Sequence, residues 1–354
     1  MTNSEIVAAL ERWSYDPRFG PRAERALRRA ARRLLMVDGD ILSYVQTGQA
    51  TDLPQVGPFV ARIITELIAG TRPPVPETAE WPDEKRTLYA AAERSRGAFL
   101  SLYDAGQIAA QSEMKVLGDL QMHTTWSDGA DTPEAMAKAA DALGYRYIAI
   151  TDHSFGLRIA RGMSLEALRR QRDEIKELNH RIGVRVFSGI EANVLPTGAL
   201  DVEANDLAGL EVIVASCHSA LRKTGDQTAR LIAAVTHPQV HILGHPRGRV
   251  FGMPRAIQAN WSEVFAAAAA AGTAIEINAY PDRQDVDYRL AAQALAAGCI
   301  LSLGTDSHAA GQLPWMVIAR AQAVLARAGP ESVLNTWDLP VVERWLRRKR
   351  AVVR

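Results

Sequence analysis

The spacing of apolar residues divides the chain into a helical first part and a second part in which short strands alternate with helices. In residues 1–72, apolar positions recur every three or four residues, as in AERALRRAARRLLMV, which predicts helices with arginines on the polar face. The segment TRPPVPETAEWP contains four prolines and predicts a linker, and residues 83–112 again have a helical pattern. We therefore predict a helical domain over 1–72, a linker and helix over 73–117, and a second domain over 118–354.

Seven short apolar runs follow Gly118, and most of them precede ten or more residues of helical character. This alternation predicts an α/β fold with a parallel sheet. An open doubly wound sheet and a closed barrel fit the alternation equally well, and the position of the polar residues favours the barrel. The runs are GDLQMHT, YRYIAITDH, RVFSGIEANV, EVIVASCH, VHILGHP, TAIEIN and CILSLGTDSH.

Residue types that bind metals follow nearly every predicted strand, at the end where α/β folds collect their chemistry. Neutral imidazole together with carboxylate suits Mn²⁺, Zn²⁺ or Fe²⁺. Since one metal does not need so many ligands, we predict a cluster of two or three metals, which can clamp a phosphate and activate water. The candidate ligands are His123, Asp128, His153, Glu191, His218, His245, Asp306 and His308.

Composition removes several other classes of protein. Lys and Arg number 41 against 40 Asp and Glu, so a nucleic-acid contact would need a local basic patch. Both cysteines, Cys217 and Cys299, lie in apolar runs, which excludes a disulfide scaffold and a thiolate zinc site. No apolar run reaches membrane-spanning length and no signal peptide is visible, so we expect a cytoplasmic protein.

The motifs at the predicted strand ends resemble those of the polymerase-and-histidinol-phosphatase (PHP) family. They are DLQMHTTWSDG, ITDHS, GIEANV, SCHSALR, ILGHPRGR, EINAYPDR and GTDSH. The resemblance implies a distorted seven-stranded (β/α)7 barrel with a trinuclear metal site. It is closest to the PHP domain of bacterial family X DNA polymerases, which implies a Mn²⁺-dependent 3′–5′ exonuclease module.

The resemblance also implies how the ligands divide among three metals, with Glu191 bridging two of them. The first metal would use His123, Glu191 and Asp306, the second Glu191, His218 and His245, and the third Asp128, His153 and His308. Gln121 stands where the family motif usually has the first histidine of His-x-His, and it would be a weak ligand of the first metal. The alternative for Gln121 is a site that no longer loads metal.

Basic residues follow two predicted strands at the same end as the candidate ligands. Arg222 and Lys223 come after the fourth, and Arg247 and Arg249 after the fifth. Guanidinium is suited to bidentate phosphate contact, although each of these residues could equally be an ordinary surface charge. Arg247 is the best candidate because it follows His245 so closely. The predicted catalytic residues are Glu191, His123, Asp306 and Arg247.

The first domain carries its own resemblance. TDLPQVGPFVARIITELI resembles a helix-hairpin-helix, in which Gly57 would let the turn approach a phosphate; a plain packing corner between helices is the alternative. With DPRFGPRAERALRRAARRL and VDGDILSYVQTG, it resembles the small N-terminal DNA-binding domain of family X polymerases. Besides Gly57, Arg28 and Arg32 are the predicted DNA contacts, taken from a run of arginines that could also be a solvated helix face.

These observations favour a metal-dependent phosphodiesterase that processes gapped DNA or DNA 3′ ends. We predict no polymerase activity, because residues 73–117 leave no room for a palm domain and contain no Asp-x-Asp pair. Two alternatives remain open: a small-molecule phosphomonoesterase of the histidinol-phosphate phosphatase type, and a non-catalytic DNA-binding protein. Nothing in the sequence indicates protein partners or the oligomeric state.

Overall fold

A computed structural model describes residues 1–221, 223–253 and 256–351, with the side chains of 94–96 and 349–351 outside the description. The chain forms two compact units. The first comprises Met1–Gln111, Arg249–Ala256 and Pro281–Arg283, and the second comprises Ser112–Gly248, Ile257–Tyr280 and Gln284–Arg354. The division lies between residues 111 and 112, whereas we predicted boundaries at 72 and 117. Two short segments from the barrel part of the sequence also belong to the first unit.

The first unit is helical, as the periodicity predicts. Thr2 and Glu5 form a capping box at the start of the first helix, and Pro21 and Pro58 occupy the first positions of the second and fourth, where proline needs no hydrogen-bond partner. The described helices are α1 Asn3–Trp13, α2 Pro21–Leu34, α3 Ile41–Gln46, α4 Pro58–Ile68, α5 Asp83–Arg96 and α6 Leu102–Ala110.

The two later segments contribute to the core of the first unit. The rings of Phe251 and Phe99 pack edge to face, with 5.2 Å between their centroids. The guanidinium of Arg249 lies 4.0 Å from the centroid of Phe99 and donates to the carbonyls of Gly97 and Arg283. Periodicity within residues 1–72 therefore describes only part of what stabilises this unit.

Phe251→Ala should lower the free energy of unfolding of the first unit by about 3 kcal/mol, because it removes a ring that is only 4% exposed. Urea unfolding followed by tryptophan fluorescence measures the loss, since Trp13 belongs to the same hydrophobic core. Phe155→Ala is the matched control: Phe155 is 48% exposed and its removal should change stability by less than about 0.5 kcal/mol. Equal stability of the two variants would contradict the assignment of Phe251 to this core.

The second unit is an α/β barrel. Its strands are all parallel and pair in chain order. A parallel bridge joins Met122, which follows the first strand, to Ser307, which follows the last strand, and it nearly closes the barrel. The described strands are β1 Gly118–Asp119, β2 Tyr147–Ile150, β3 Arg185–Asn193, β4 Val212–Ser216, β5 Ile242–Gly244, β6 Ala274–Asn278 and β7 Leu301–Gly304. The predicted seven-stranded barrel is confirmed.

Helices follow the strands and cover the barrel from outside. Because both faces of the strands are then buried, the strand sequences are nearly continuous apolar runs. The described helices are α7 Pro133–Ala142, α8 Leu165–Leu178, α9 Ala204–Leu207, α10 Thr228–Thr236, α11 Trp261–Ala271, α12 Tyr288–Ala296, α13 Met316–Leu325 and α14 Leu339–Ala351. Among the described residues, none of the helices has the length and apolar character that crossing a bilayer requires.

Candidate metal centre

The predicted ligands meet at the carboxyl end of the barrel. Glu191 lies within β3, and the others follow the ends of β1, β2, β4, β5 and β7. Parallel pairing brings these strand ends to one side, so residues far apart in sequence become neighbours. The residues that the barrel brings together are His123, Asp128, His153, Glu191, His218, His245, Asp306 and His308.

The carboxylate of Glu191 lies between two pairs of imidazoles. Its Oε2 is 2.9 Å from Nδ1 of His153 and 3.5 Å from Nε2 of His123. Its Oε1 is 2.8 Å from Nε2 of His245 and 3.4 Å from Nε2 of His218. Burial would raise the pKa of Glu191, but the charges of His153 and His218 outweigh it and hold that pKa well below its usual range. Glu191 is therefore an anion with histidines around both oxygens, the position that a bridging ligand needs.

A second carboxylate pairs with histidines nearer the solvent. Oδ1 of Asp128 is 3.4 Å from Nε2 of His308 and 3.6 Å from Nε2 of His153. Asp306 is the third carboxylate of the cluster, and its Oδ1 lies 3.0 Å from Nε2 of His123. Its backbone φ of 55° is in the left-handed region, a strained conformation that clusters at functional sites. Asp306 is held in this conformation where its carboxylate faces the cluster.

Distances group the ligand atoms slightly differently from the three predicted sets. Mutual separations within 4.8 Å define two groups, and His123 falls in the group predicted for the third metal. The assignment of particular residues to particular metals stays a prediction. The groups are His123, Asp128, His153 and His308, and His153, Glu191 and His218.

The donor set fits divalent transition metals. It consists of imidazoles and carboxylates without thiolate, since both cysteines are buried away as free thiols. Several buried polar atoms here have no hydrogen-bond partner among the described residues, including both amide atoms of Gln121 and Nδ1 of His123. Buried polar atoms are normally satisfied, so bound cations and their waters would supply what the protein leaves open. The cluster is large enough for more than one metal.

The outermost pair of the cluster has strongly displaced pKa values. Burial would lower the pKa of His308, but its hydrogen bond to Asp128 and the charges of Asp306 and Asp128 outweigh it and raise the pKa to about 9. Burial would raise the pKa of Asp128, but the hydrogen bond from His308 and the charges of His153 and His308 lower it to about 2. Without metal, this pair is an imidazolium and a carboxylate at neutral pH.

Metal affinity should therefore increase with pH. A protonated imidazole cannot bind metal, so the proton on His308 must leave when metal enters. Because the pKa of His308 is raised to about 9, we expect Mn²⁺ affinity to rise by up to about tenfold per pH unit from about pH 6 to about pH 8. Calorimetry in buffers of different ionisation enthalpy measures the released protons. His308→Asn should flatten the dependence, and a flat profile in the unaltered chain would contradict it.

Comparison with known proteins decides the family. The PHP domain family matches residues 119–279. A probable phosphatase from Edwardsiella ictaluri is 30% identical over 246 residues, which cover 66% of this chain and 96% of that protein. The chain belongs to the PHP family. It is accordingly a metal-dependent phosphoesterase, with its ligand-type side chains clustered at the end of the barrel.

Two further proteins extend the comparison. The DNA polymerase/3′-5′ exonuclease PolX of Bacillus subtilis is 33% identical over 306 residues, covering 86% of this chain. This chain spans 50% of the length of that protein. The crystal structure of histidinol phosphate phosphatase from Lactococcus lactis, complexed with zinc, L-histidinol and phosphate, has a TM-score of 0.44 at 17% identity, over 60% of this chain and 93% of that one.

Glu276 belongs to the PHP site, although sequence reasoning missed it. It is fully buried in β6, and its Oε2 accepts hydrogen bonds from the backbone of His245 (2.7 Å) and from Nδ2 of Asn278 (3.3 Å). The same amide lies 3.2 Å from Oδ2 of Asp306. Burial and the charge of Asp306 raise the pKa of Glu276 well above its usual range. A charged residue in the middle of the apolar run TAIEIN was the available signal.

Asp152 is a second supporting residue of the PHP site. Its carboxylate accepts from the backbone N and Oγ of Thr124, at 2.8 and 2.6 Å, and from Ser127 and Gln171. These bonds join the loop after β1, which carries two candidate ligands, to the segment that carries His153. Its place directly before His153 in ITDHS was the signal in the sequence.

The basic residues near the PHP site are less available than predicted. Nη1 of Arg247 lies 2.6 Å from Oδ2 of Asp287, and the Arg247 side chain is 16% exposed. A phosphate would have to share or replace that carboxylate, so a catalytic role for Arg247 stays a prediction. Arg249 is fully buried in the first unit, so the predicted phosphate contact at Arg249 is wrong. Lys223 is exposed, and Arg222 lies outside the described residues.

In the first unit, Gly57 precedes α4 with an ordinary φ of −85°, and an added Cβ would meet nothing within 4 Å. The fold itself therefore does not require glycine here. The neighbouring residue with a left-handed backbone is Gln55, with φ 62°. A phosphate contact at Gly57 stays a prediction. Close approach of a ligand to the backbone is the remaining explanation for a glycine at this position.

The two predicted DNA contacts on α2 have partners within the first unit. Nε of Arg28 donates to Oγ of Ser14 at 3.1 Å, and its guanidinium lies 4.9 Å from the centroid of Tyr15. Arg32 forms an ion pair with Asp282 at 3.0 Å. A DNA-binding role for Arg28 and Arg32 stays a prediction, and it would compete with these contacts.

Four other arginines of α2 are exposed and have no ion-pair partner in the part of the chain that the structure describes. Their spacing of three, four and four residues aligns them along one side of the helix, opposite buried Leu27, Ala31 and Leu34. We call this side the arginine face: Arg22, Arg25, Arg29 and Arg33. It is a row of unneutralised positive charges about 16 Å long.

Proposed function

We propose that this chain is a metal-dependent phosphodiesterase that removes nucleotides from DNA 3′ ends and lacks polymerase activity. The observation that carries the proposal is the match to PolX over 306 residues, which is longer than the barrel unit and therefore includes part of the first unit. The arginine face supports it, because rows of arginine contact phosphate backbones without regard to sequence. A location in the cytoplasm stays a prediction.

In the proposed arrangement, three sets of ligands hold the metals, and Glu191 belongs to two of them. Mn²⁺ is the proposed metal, with Zn²⁺ and Fe²⁺ as alternatives. Divalent metals held here would neutralise a phosphate and lower the pKa of a water that attacks it. The sets are His123, Glu191 and Asp306; Glu191, His218 and His245; and Asp128, His153 and His308.

Exposure indicates the side from which a substrate phosphate approaches. The side chains of Glu191 and His123 are fully buried, whereas those of Asp128 and His308 are 28% and 25% exposed. The phosphate therefore enters past Asp128 and His308, with Glu191 at the floor. Arg247 would have to break its ion pair with Asp287 to contact the phosphate. In the proposed arrangement, Arg247 therefore contacts phosphate only when substrate is bound.

The decisive experiment offers Mn²⁺-loaded chain three substrates side by side: single-stranded DNA, gapped duplex DNA and histidinol phosphate. We expect release of nucleotides from DNA 3′ ends and much slower hydrolysis of histidinol phosphate. Preference for histidinol phosphate would overturn the proposal in favour of a small-molecule phosphomonoesterase, the alternative supported by the near full-length match to the Edwardsiella protein. Metal analysis tests the third candidate, since a non-catalytic DNA-binding protein would carry fewer than about two metals per chain.

A further inference from the structure

A short loop at the edge of the metal centre begins directly after His153; we call residues 154–163 the rim loop. A parallel bridge joins its two ends, Ser154 and Met163, and the backbone N of Met163 donates to the carbonyl of His153 at 2.8 Å. Gly162 has no room for a side chain, because an added Cβ would collide with the carbonyl of Ser154. The rim loop is thus closed at its base and attached to a candidate metal ligand.

Asp201 fixes the first residues of the rim loop. Its carboxylate accepts from Oγ of Ser154 at 2.7 Å and from the backbone N of Gly156 at 3.1 Å. An added Cβ on Gly156 would collide with that carboxylate, so a larger residue here would force the Asp201 side chain to move. The hydrogen bonds to Asp201 therefore fix the backbone from which the rest of the rim loop continues.

Two large apolar side chains of the rim loop face solvent. Phe155 is 48% exposed and Ile159 is 91% exposed, the highest value among the large hydrophobic residues that the structure describes. Single exposed apolar residues are ordinary on protein surfaces. These two, however, are four residues apart on one closed loop that begins next to the candidate ligand His153.

The charges of the rim loop have one sign. Arg158 and Arg161 are exposed, neither has an ion-pair partner among the described residues, and the loop contains no acidic residue. Aromatic and aliphatic surfaces next to free arginines match single-stranded nucleic acid, whose bases stack on apolar side chains while its phosphates attract guanidinium. A small polar phosphate ester offers no surface that Phe155 and Ile159 could cover.

We propose that the rim loop binds the nucleotides next to the scissile phosphate of single-stranded DNA, with Phe155 and Ile159 against bases and Arg158 and Arg161 against phosphates. This inference deepens the proposed function and rests on it for the identity of the substrate. The rim loop would then select DNA ends over small phosphate esters at the same metal centre.

The test uses the full chain with Phe155→Ala and Arg161→Ala, singly and together. A fluorescein-labelled single-stranded dodecamer measures affinity by anisotropy in chelator, and kcat/KM with Mn²⁺ is measured for the same strand and for bis-p-nitrophenyl phosphate. We expect each substitution to weaken binding by about tenfold and to lower the ratio of the two kcat/KM values by a similar factor. A general structural defect would lower both activities and leave their ratio unchanged.

Two controls match the substitutions in chemistry and exposure. Leu143 is also 48% exposed but ends α7, at the opposite end of the barrel from the metal centre. Arg327 is exposed and has a left-handed φ of 60°, close to the 54° of Arg161. Leu143→Ala and Arg327→Ala should retain the affinity and the ratio of the unaltered chain.

The outcomes separate this inference from the proposed function. If the unaltered chain hydrolyses DNA and the rim-loop variants keep its affinity and ratio, the inference is wrong and the proposed function stands. If the chain binds the strand through the rim loop but hydrolyses only phosphomonoesters, the proposed function fails, and with it the placement of these nucleotides next to a scissile phosphate. A change of oligomeric state with unaltered DNA affinity would assign Phe155 to a protein interface and overturn the inference.

Discussion

Glu191→Ala should lower phosphodiester hydrolysis by about 1,000-fold or more, the largest loss that any single substitution in the cluster produces. Its two oxygens lie within 3.5 Å of four imidazoles, so no other side chain described in the site approaches so many candidate ligands. If Glu191 bridges two metals as proposed, its removal should weaken both metal sites at once. Several kcal/mol of transition-state stabilisation then disappear.

Gln121→Ala is the matched comparison for Glu191→Ala. Gln121 is equally buried, but it is neutral and offers at most one weak bond, so we expect a loss of about tenfold or less. Metal content per chain and the hydrolysis rate of bis-p-nitrophenyl phosphate measure both variants. Equal losses would contradict a bridging role for Glu191. Gln121→His should raise metal content, and a fall instead would mean that the first metal is placed wrongly.

Replacing the arginine face with glutamine should reduce the affinity for DNA by about 100-fold at low salt. Its four guanidinium groups form no ion pair with the described residues, so they are available to release counterions from a phosphate backbone. The slope of log affinity against log salt should therefore fall by roughly 3 for single-stranded DNA, which is about 0.7 for each lost contact. A salt titration of the dodecamer with the fourfold variant measures the change.

The double variant Arg28→Gln, Arg32→Gln distinguishes the arginine face from helical charge in general. These two arginines lie on the same helix but are engaged by Ser14, Tyr15 and Asp282, so the salt slope should change by less than 1. A fall in slope as large as that of the fourfold variant would restore Arg28 and Arg32 as the principal contacts. It would then follow that DNA displaces their intramolecular partners.

Most of the barrel and its cluster could be predicted because the relevant signals are local. An apolar strand that ends in histidine or aspartate is visible within ten residues, and parallel pairing alone brings such ends together. Glu276 was missed because the charge within the apolar run TAIEIN marks an unusual residue without showing which groups it contacts. Its hydrogen bonds to the backbone of His245 and to Asn278 depend on the closed barrel.

The first unit was less predictable for the same reason. Its helices follow from apolar spacing, but the pairing of Arg32 with Asp282 and of Phe99 with Phe251 joins residues more than a hundred positions apart. Periodicity describes which side of a helix is apolar and not what covers it. The boundary near Gln111 and the burial of Arg249 therefore became apparent only from the packing.

The split composition of the first unit has a consequence for how the chain folds as it is made. Met1–Gln111 leaves the ribosome first, but Phe251 and the segment Pro281–Arg283 must be synthesised before that unit can complete its core. At a synthesis rate of about 5–20 residues per second, those partners are made on the order of ten to thirty seconds after the helices. Throughout this interval Phe99 is without its later partner, and the nascent helices offer apolar surface to chaperones and proteases. Translation speed through the barrel region therefore controls how long the first unit remains incomplete.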